Sequence, residues 1–340
     1  MSKLQYIYIS DFKLPSGKSQ DIYLSYQLFG QPLFQAPIVL VNHALTGNSN
    51  VCGKDGWWSD IIGEDKCIDT KNYTILAFNI PGNGYDQLED HLIDNYKAFN
   101  ARVVAQLFAE GLRQLKITSL FAVIGGSVGG GIAWELAALH PNLIEHVIPI
   151  ASDWKSTDWL IANCYIQDAI LNHSKAPLSD ARMHAMTLYR TPESFTSKFQ
   201  RSEKAAAIFN VESWLSFHGQ SLHERFHLAA YKLMNHILKT IDITRDRGNF
   251  MEVVAPITSD IHIVTINSDL FFKPEENWKT YVELKQKKAN VTISEIKSIH
   301  GHDAFLIEFN QLIKFLKPIF KNDVGLESKV RLDRNSVLNN

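Results

Sequence analysis

An apolar run, Phe121-Ala-Val-Ile124, ends in Gly125-Gly-Ser-Val-Gly129; a stretch with helix-spaced apolar residues, Ile132 to His140, follows at once and stops before Pro141. A strand passed to a helix through so few residues must turn sharply, and the serine at the apex is forced into strained backbone angles. Gly125 and Gly129, two residues before and two after Ser127, let neighbouring chain pass without side-chain clashes. This is the pattern of a nucleophile elbow. A bare Gly-x-Ser-x-Gly also occurs in ordinary loops, so it is the flanking strand and helix that give the match its meaning.

An elbow needs a sheet to stand on, and the surrounding chain supplies one. Strand patterns run near Tyr6 to Phe12, Ile22 to Phe29, Ile38 to Asn42, Tyr73 to Asn79, Leu120 to Ile124 and Val147 to Ala151. Amphipathic helices separate the later ones; Arg102 to Leu115 places Val103, Leu107, Leu112 and Leu115 along one face. Such alternation predicts an α/β architecture, a mostly parallel sheet with helices on both faces. From Asp153 to about Met251 strand patterns vanish and helical spacing dominates, as in an inserted helical lid. Strands return at Ile261 to Ile266 and Val291 to Ile296, followed by a final helix from about Asp303 to Phe320. The expected organisation is a core of residues 1–152 and 256–320, a lid of 153–255, and a polar tail, 321–340, that is poorly ordered.

Composition narrows the partners. A net charge of -2 provides no basic field for nucleic acid or an anionic membrane surface. No run approaches the roughly 18 apolar residues of a membrane span, and the amino terminus alternates like a strand instead of forming a signal peptide. Three cysteines, Cys52, Cys67 and Cys164, suit neither a disulfide framework nor a zinc site. These features predict a cytoplasmic protein acting on small molecules, with no metal.

A nucleophilic serine needs a base and the base needs an orienting acid; on an elbow these follow in the chain order Ser, Asp or Glu, His. Asp269 lies three residues past the strand ending at Ile266, whereas Asp260 sits at the wrong end of it. After the last strand, Ser298-Ile-His-Gly-His-Asp303 offers two histidines, of which His302, behind a glycine and opening a helix, is the better base. The catalytic set is therefore expected to be Ser127, Asp269 and His302. An oxyanion also needs backbone donors: the amide of Val128, after the nucleophile, and a second from the loop after an early strand, where Asn42-His-Ala-Leu-Thr-Gly47 has the right form.

These segments carry a resemblance. Asn42-His-Ala-Leu-Thr-Gly47, Gly56-Trp-Trp58, Ile62-Gly63, Lys66-Cys-Ile-Asp-Thr70, Gly125-Gly-Ser-Val-Gly-Gly130, Val211-Glu-Ser-Trp-Leu215, Asn267-Ser-Asp-Leu-Phe-Phe272 and Gly301-His-Asp-Ala-Phe-Leu306 together resemble the homoserine O-acyltransferases of the α/β-hydrolase superfamily. The likeness implies the α/β-hydrolase fold, an acyl-CoA donor (acetyl-CoA foremost) as co-substrate with no bound cofactor, an acyl-Ser127 intermediate, and homoserine as acceptor in methionine biosynthesis. It places the second oxyanion donor at the Leu45 amide. It also assigns the acceptor's carboxylate to Arg182, within Ala181-Arg-Met183, and its ammonium to Asp303. A homodimer through the lid helices is the assembly it implies.

A bidentate arginine and one carboxylate make chemical sense for an amino-acid acceptor, whose two charges lie at fixed separation. Without the likeness, Arg182 reads as a surface helix residue and Asp303 as a helix-start acid. Trp57 and Trp58 read either as walls of an acyl pocket or as packing. Two segments depart from the family pattern: Ile80-Pro-Gly-Asn-Gly-Tyr-Asp86 stands where relatives carry Gly-Gly-Cys-x-Gly-Ser, and Phe226-His-Leu-Ala-Ala-Tyr231 where they carry Phe-Asp-Ala-Asn-Ser-Tyr. A serine esterase on the same fold, or a transferase using serine or another hydroxyl acceptor, stays open, because fold and triad do not set the acceptor.

Overall fold

The computed structural model describes residues 2–320. The expected tail, 321–340, lies outside them. Eight strands form one sheet: β1 (Gln5–Lys13), β2 (Ser19–Gly30), β3 (Ile38–Asn42), then, after a small ladder of β4 (Ile62–Gly63) and β5 (Ile68–Asp69), β6 (Thr74–Phe78), followed by helix α1 (Ala101–Gln114), β7 (Leu120–Gly126), helix α2 (Val128–Leu139) and β8 (Ile144–Ile150). The segment after β8 holds α3 (Asp158–His173), α4 (Pro177–Tyr189), α5 (Pro192–Phe199), a hairpin of β9 (Glu203–Ala205) and β10 (Ile208–Phe209), α6 (Asn210–Arg225), α7 (Leu228–Lys239) and α8 (Phe250–Val254). The sheet resumes with β11 (Asp260–Ile266) and, beyond α9 (Pro274–Lys285), β12 (Val291–Ile296); α10 (Phe309–Leu316) is the last element among the described residues.

The order across the sheet is β1-β2-β6-β3-β7-β8-β11-β12, with the β1–β2 and β2–β6 pairings antiparallel and the remaining pairings parallel. β3 and β6 are buried at every position, which is why they read as continuous apolar runs; edge strand β1 alternates buried and exposed positions, its outer side facing water. Asn100 caps α1 by accepting from the Val103 amide, and the helix lays Val103, Leu107 and Leu112 on the sheet. Register matters most for function: Gly126 stands beside Ile150 and Ile266 beside Ile296, so the loops after β7, β8, β11 and β12 leave one edge together.

Two expectations are corrected. The segment from Asp153 to Met251 is not free of strand: β9 and β10 pair as a short hairpin. Strands of three and two residues are too short to show alternation. The final helix is broken: Gly301–Leu306 forms a 3-10 helix, Ile307 leaves helical geometry at φ −128°, and α10 starts only at Phe309. The Ala304 carbonyl accepts from both Ile307 and Glu308, closing the first piece on itself.

One buried charge cluster locks this frame. Glu135 of α2 is 1% exposed and accepts from Arg102 Nε of α1 at 2.6 Å, with Arg247 Nη1 at 2.9 Å. Arg102 also donates to the Arg245 and Ile243 carbonyls, tying the return from the helical insertion to the core. Glu135→Gln removes the anion and strands two guanidiniums, so unfolding free energy is expected to fall by about 3 kcal/mol. Denaturant unfolding checks this, and a change below about 1 kcal/mol contradicts it.

Candidate active site

Ser127 sits between β7 and α2 with φ 57° and ψ −127°, a conformation an L-residue adopts only under constraint. Its amide donates to the Ile150 carbonyl at 2.9 Å, and its carbonyl receives the Gly130 amide at 2.9 Å, pinning the turn from both sides. Two glycines bring other segments to it. A Cβ on Gly129 would stand 2.5 Å from the Asn42 carbonyl oxygen, and one on Gly126 would stand 2.5 Å from the Phe305 ring. The loop after β3 and the segment bearing His302 therefore both close on the elbow.

His302 and Asp269, 33 residues apart, meet there: His302 Nδ1 lies 2.7 Å from Asp269 Oδ2, both side chains almost wholly buried. Asp269 Oδ1 accepts from the Phe271 and Phe272 amides at 2.7 and 2.9 Å, which fixes the carboxylate before it meets the imidazole. Donation from Nδ1 to that carboxylate leaves Nε2 with its lone pair free, the tautomer a general base requires. Phe271, Phe272, Phe305 and Tyr189 surround the ring with centroids 5.2 to 5.7 Å away, excluding water around it. The other histidine, His300, instead meets Arg190 Nη2 at 3.0 Å and Ser194 Oγ at 3.1 Å.

The loop expected to supply an oxyanion donor is fastened at three points. Asn42 Nδ2 donates to the Gly129 carbonyl at 3.1 Å; Gly47 N–H closes a turn onto the Ala44 carbonyl; and Arg225, at the end of α6, donates to the Thr46 carbonyl at 3.2 Å. Leu45 is the second residue of that turn, so its own amide is not consumed by the closing bond. Val128 opens α2, where first-turn amides lack helical partners. His43 was missed in the sequence. It is buried, burial lowers its pKa to about 4, and the neutral ring donates from Nδ1 to the Ala44 carbonyl and accepts the Ile80 amide at Nε2. It thus staples the loop to the Ile80–Asp86 segment.

Arg182 and Tyr189 lie seven residues apart on one face of α4, the guanidinium 5.7 Å from the ring centroid. Asp303 keeps about a fifth of its side chain exposed, at 21%, and burial raises its pKa against the opposing charges of Arg182, His302 and Arg190. Its nearest cation is Arg190, Nη1 to Oδ2 at 3.8 Å, a residue that sequence reasoning also missed. Its position, eight residues beyond Arg182 and directly after Tyr189, was the available signal. Trp57 and Trp58 stack at 4.8 Å, but Trp58 is wholly buried beneath the sheet and Trp57 donates to the Asn48 carbonyl, so both pack the loop. The two segments that depart from the family pattern touch: the His227 ring lies against Gly84.

A strained serine at a strand-to-helix turn, with a histidine–carboxylate pair delivered from the carboxyl edge of a parallel sheet, defines a class of enzyme scaffold. The model of the α/β hydrolase fold family matches residues 37–294. Among solved structures, homoserine O-acetyltransferase from Bacillus anthracis superposes with a TM-score of 0.86 at 16% identity, covering 96% of this chain and 99% of its own. Esterase E22 gives 0.84 at 17% identity, covering 94% of this chain and all of its own, so this likeness speaks for the fold alone. Sequence goes further. The homoserine O-acetyltransferase of Chloroherpeton thalassium is 33% identical over 88% of this chain and 83% of its own length, and that of Nostoc punctiforme is 31% identical over 90% and 92%. The chain belongs to the homoserine O-acetyltransferase family. No helix among the described residues is long and apolar enough to cross a membrane.

Proposed function

We propose that this protein transfers an acetyl group from acetyl-CoA to the hydroxyl of homoserine through an acyl-Ser127 intermediate. The observation that carries the reading is the joining of the His302–Asp269 pair to a charged cluster, Arg182, Arg190 and Asp303, that begins at the next residue. His302 Nε2 takes the Ser127 proton as Oγ attacks the thioester carbonyl, and the amides of Val128 and Leu45 hold the oxyanion. The tetrahedral adduct expels coenzyme A, whose thiolate leaves with the proton held on His302. The acceptor hydroxyl then gives its proton to His302, attacks the acyl carbon, and returns Ser127 with a proton at Oγ. Arg182 pairs with the acceptor carboxylate and Asp303 with its ammonium, aiming the hydroxyl at the ester.

Transfer outruns hydrolysis only if water is kept from the ester, and the aromatic ring around His302 and the helical lid over it support that condition. The same reading places the enzyme in the cytoplasm as a homodimer paired through the lid, where Trp159 and Tyr165 of α3 and Phe217 of α6 expose large apolar surfaces. With both substrates varied, double-reciprocal plots are expected to be parallel; intersecting lines would exclude the acyl-enzyme route. The likeness to esterase E22 favours a second reading, simple ester hydrolysis. Coenzyme A release that is equally fast with and without homoserine would establish it.

The acceptor subsite makes its own prediction. Arg182→Ala is expected to raise KM for homoserine by about 10- to 100-fold, the loss of one charge-assisted contact, while acetylation of Ser127 by acetyl-CoA keeps its rate. Because burial raises the pKa of Asp303, KM for homoserine should begin to climb on acidification above the ordinary carboxylate range. Asp303→Asn should remove that limb of the profile, and a profile unchanged in this variant would refute the assignment.

A further inference from the structure

At the opposite edge of the sheet, three side chains with no part in the reaction above converge. His146 is the third residue of β8, and Asp260 and His262 are the first and third of β11, so the latter two project from the same face. Asp260 stands beside His146 in the ladder, and His262 beside Thr292 of β12. His262 Nε2 lies 3.3 Å from His146 Nδ1, and His146 Nδ1 lies 3.7 Å from Asp260 Oδ2. One ligand atom from each of the three falls within 4.8 Å of the others.

We propose that His146, Asp260 and His262 form a binding site for a divalent transition-metal ion of the zinc class. Two nitrogens about 2.05 Å from a tetrahedral ion are separated by about 3.3 Å, which is the spacing these imidazoles already have. The Asp260 carboxylate, 3.7 Å from His146 Nδ1 and within 4.8 Å of the ligand nitrogen of His262, must close in on the imidazoles to complete the third corner, and at 48% side-chain exposure it is free to do so. The cluster opens to solvent on the Asp260 side, where nearly half of the side chain is exposed.

The surrounding groups suit metal binding. The far nitrogen of His262, Nδ1, is 3.0 Å from Thr292 Oγ1, so its proton has an acceptor and Nε2 keeps the lone pair. The far nitrogen of His146, Nε2, is 3.8 Å from Glu145 Oε1, a carboxylate within reach of the same service. Phe121 packs edge-on against the His146 ring at 4.9 Å and fixes its plane. His146 is half-buried at 15% side-chain exposure, enough to hold the ring while the rim carboxylate admits an ion. The site is separate from the elbow. His146 pairs with Ala122, five residues before Ser127, which at roughly 3.3 Å per residue is about 16 Å away. A site there bridges β8 and β11, the strands on either side of the point where the helical insertion leaves and rejoins the core, and so acts as a clip on the sheet.

The test uses Co2+ as an optical probe on the full-length protein after exhaustive chelation. One equivalent is expected to bind with the visible absorption of tetrahedral cobalt, to be displaced by Zn2+, and to raise Tm. His262→Gln should abolish the absorption, Asp260→Asn should weaken binding at a rim position that folding does not depend on, and Thr292→Val should weaken it by about tenfold. Circular dichroism of each metal-free variant shows that it is folded, and Ser127→Ala should titrate as the wild type does. Absence of a saturable signal in the wild type, a signal unchanged in both His262→Gln and Asp260→Asn, or sulfur-to-cobalt charge-transfer bands would each overturn the assignment.

Discussion

Ser127→Ala is expected to lower kcat by a factor on the order of 10^5 to 10^6 and to abolish acyl labelling of the protein by acetyl-CoA, while leaving Tm nearly unchanged. The chemical loss is total because the proposed cycle passes through Oγ. Stability stays level because alanine at this position carries the same backbone strain, φ 57°, that serine does. Ser127→Gly should be equally inactive yet more stable by about 1 kcal/mol, since glycine adopts that φ without strain. Intact-mass measurement after brief mixing with acetyl-CoA reads the label, and thermal unfolding reads the strain. An alanine variant that still forms the acyl adduct would place the nucleophile elsewhere and dismantle the proposed cycle.

Asp269→Asn should cost about 10^4 in kcat with the fold intact. The asparagine oxygen can still accept the Phe271 and Phe272 amides, so the loop keeps its form. The amide nitrogen, however, takes the place of the oxygen that His302 Nδ1 now meets at 2.7 Å. Two donors cannot face each other; His302 must move its proton to Nε2, and the lone pair needed by Ser127 disappears. The defect should ease at high pH no more than any tautomer trap allows, and Tm should move by only a few degrees. Activity within tenfold of the wild type would show that Asp269 does not orient the base.

Much of this was legible in the residues because it depends on local pattern. Strand boundaries for β3 and β11 follow from short apolar runs bounded by polar loops, and the elbow from glycines at set positions around one serine. The choice of Asp269 over Asp260 followed from which end of β11 each occupies. What went unread depends on distance. Arg190 and His43 look like ordinary polar residues until the fold sets one beside Asp303 and the other under the Ala44 turn. The break between Leu306 and Phe309 was hidden because its apolar spacing is compatible with continuous helix. The chain leaves it there after seating Phe305 on Gly126 and His302 on Asp269. The hairpin of β9 and β10 was hidden by its brevity.

The family, and the pairing of His302 with Asp269, were therefore within reach of sequence alone, because elbow, strand order and loop motifs are encoded in contiguous segments. Three things were decided only by the tertiary structure: the hydrogen bond that gives His302 its tautomer, the ring of charges around Asp303, and the meeting of His146, Asp260 and His262. Each depends on spacings of a few ångströms between residues tens to over a hundred positions apart, and strand register across the sheet, which no local pattern records, sets those spacings.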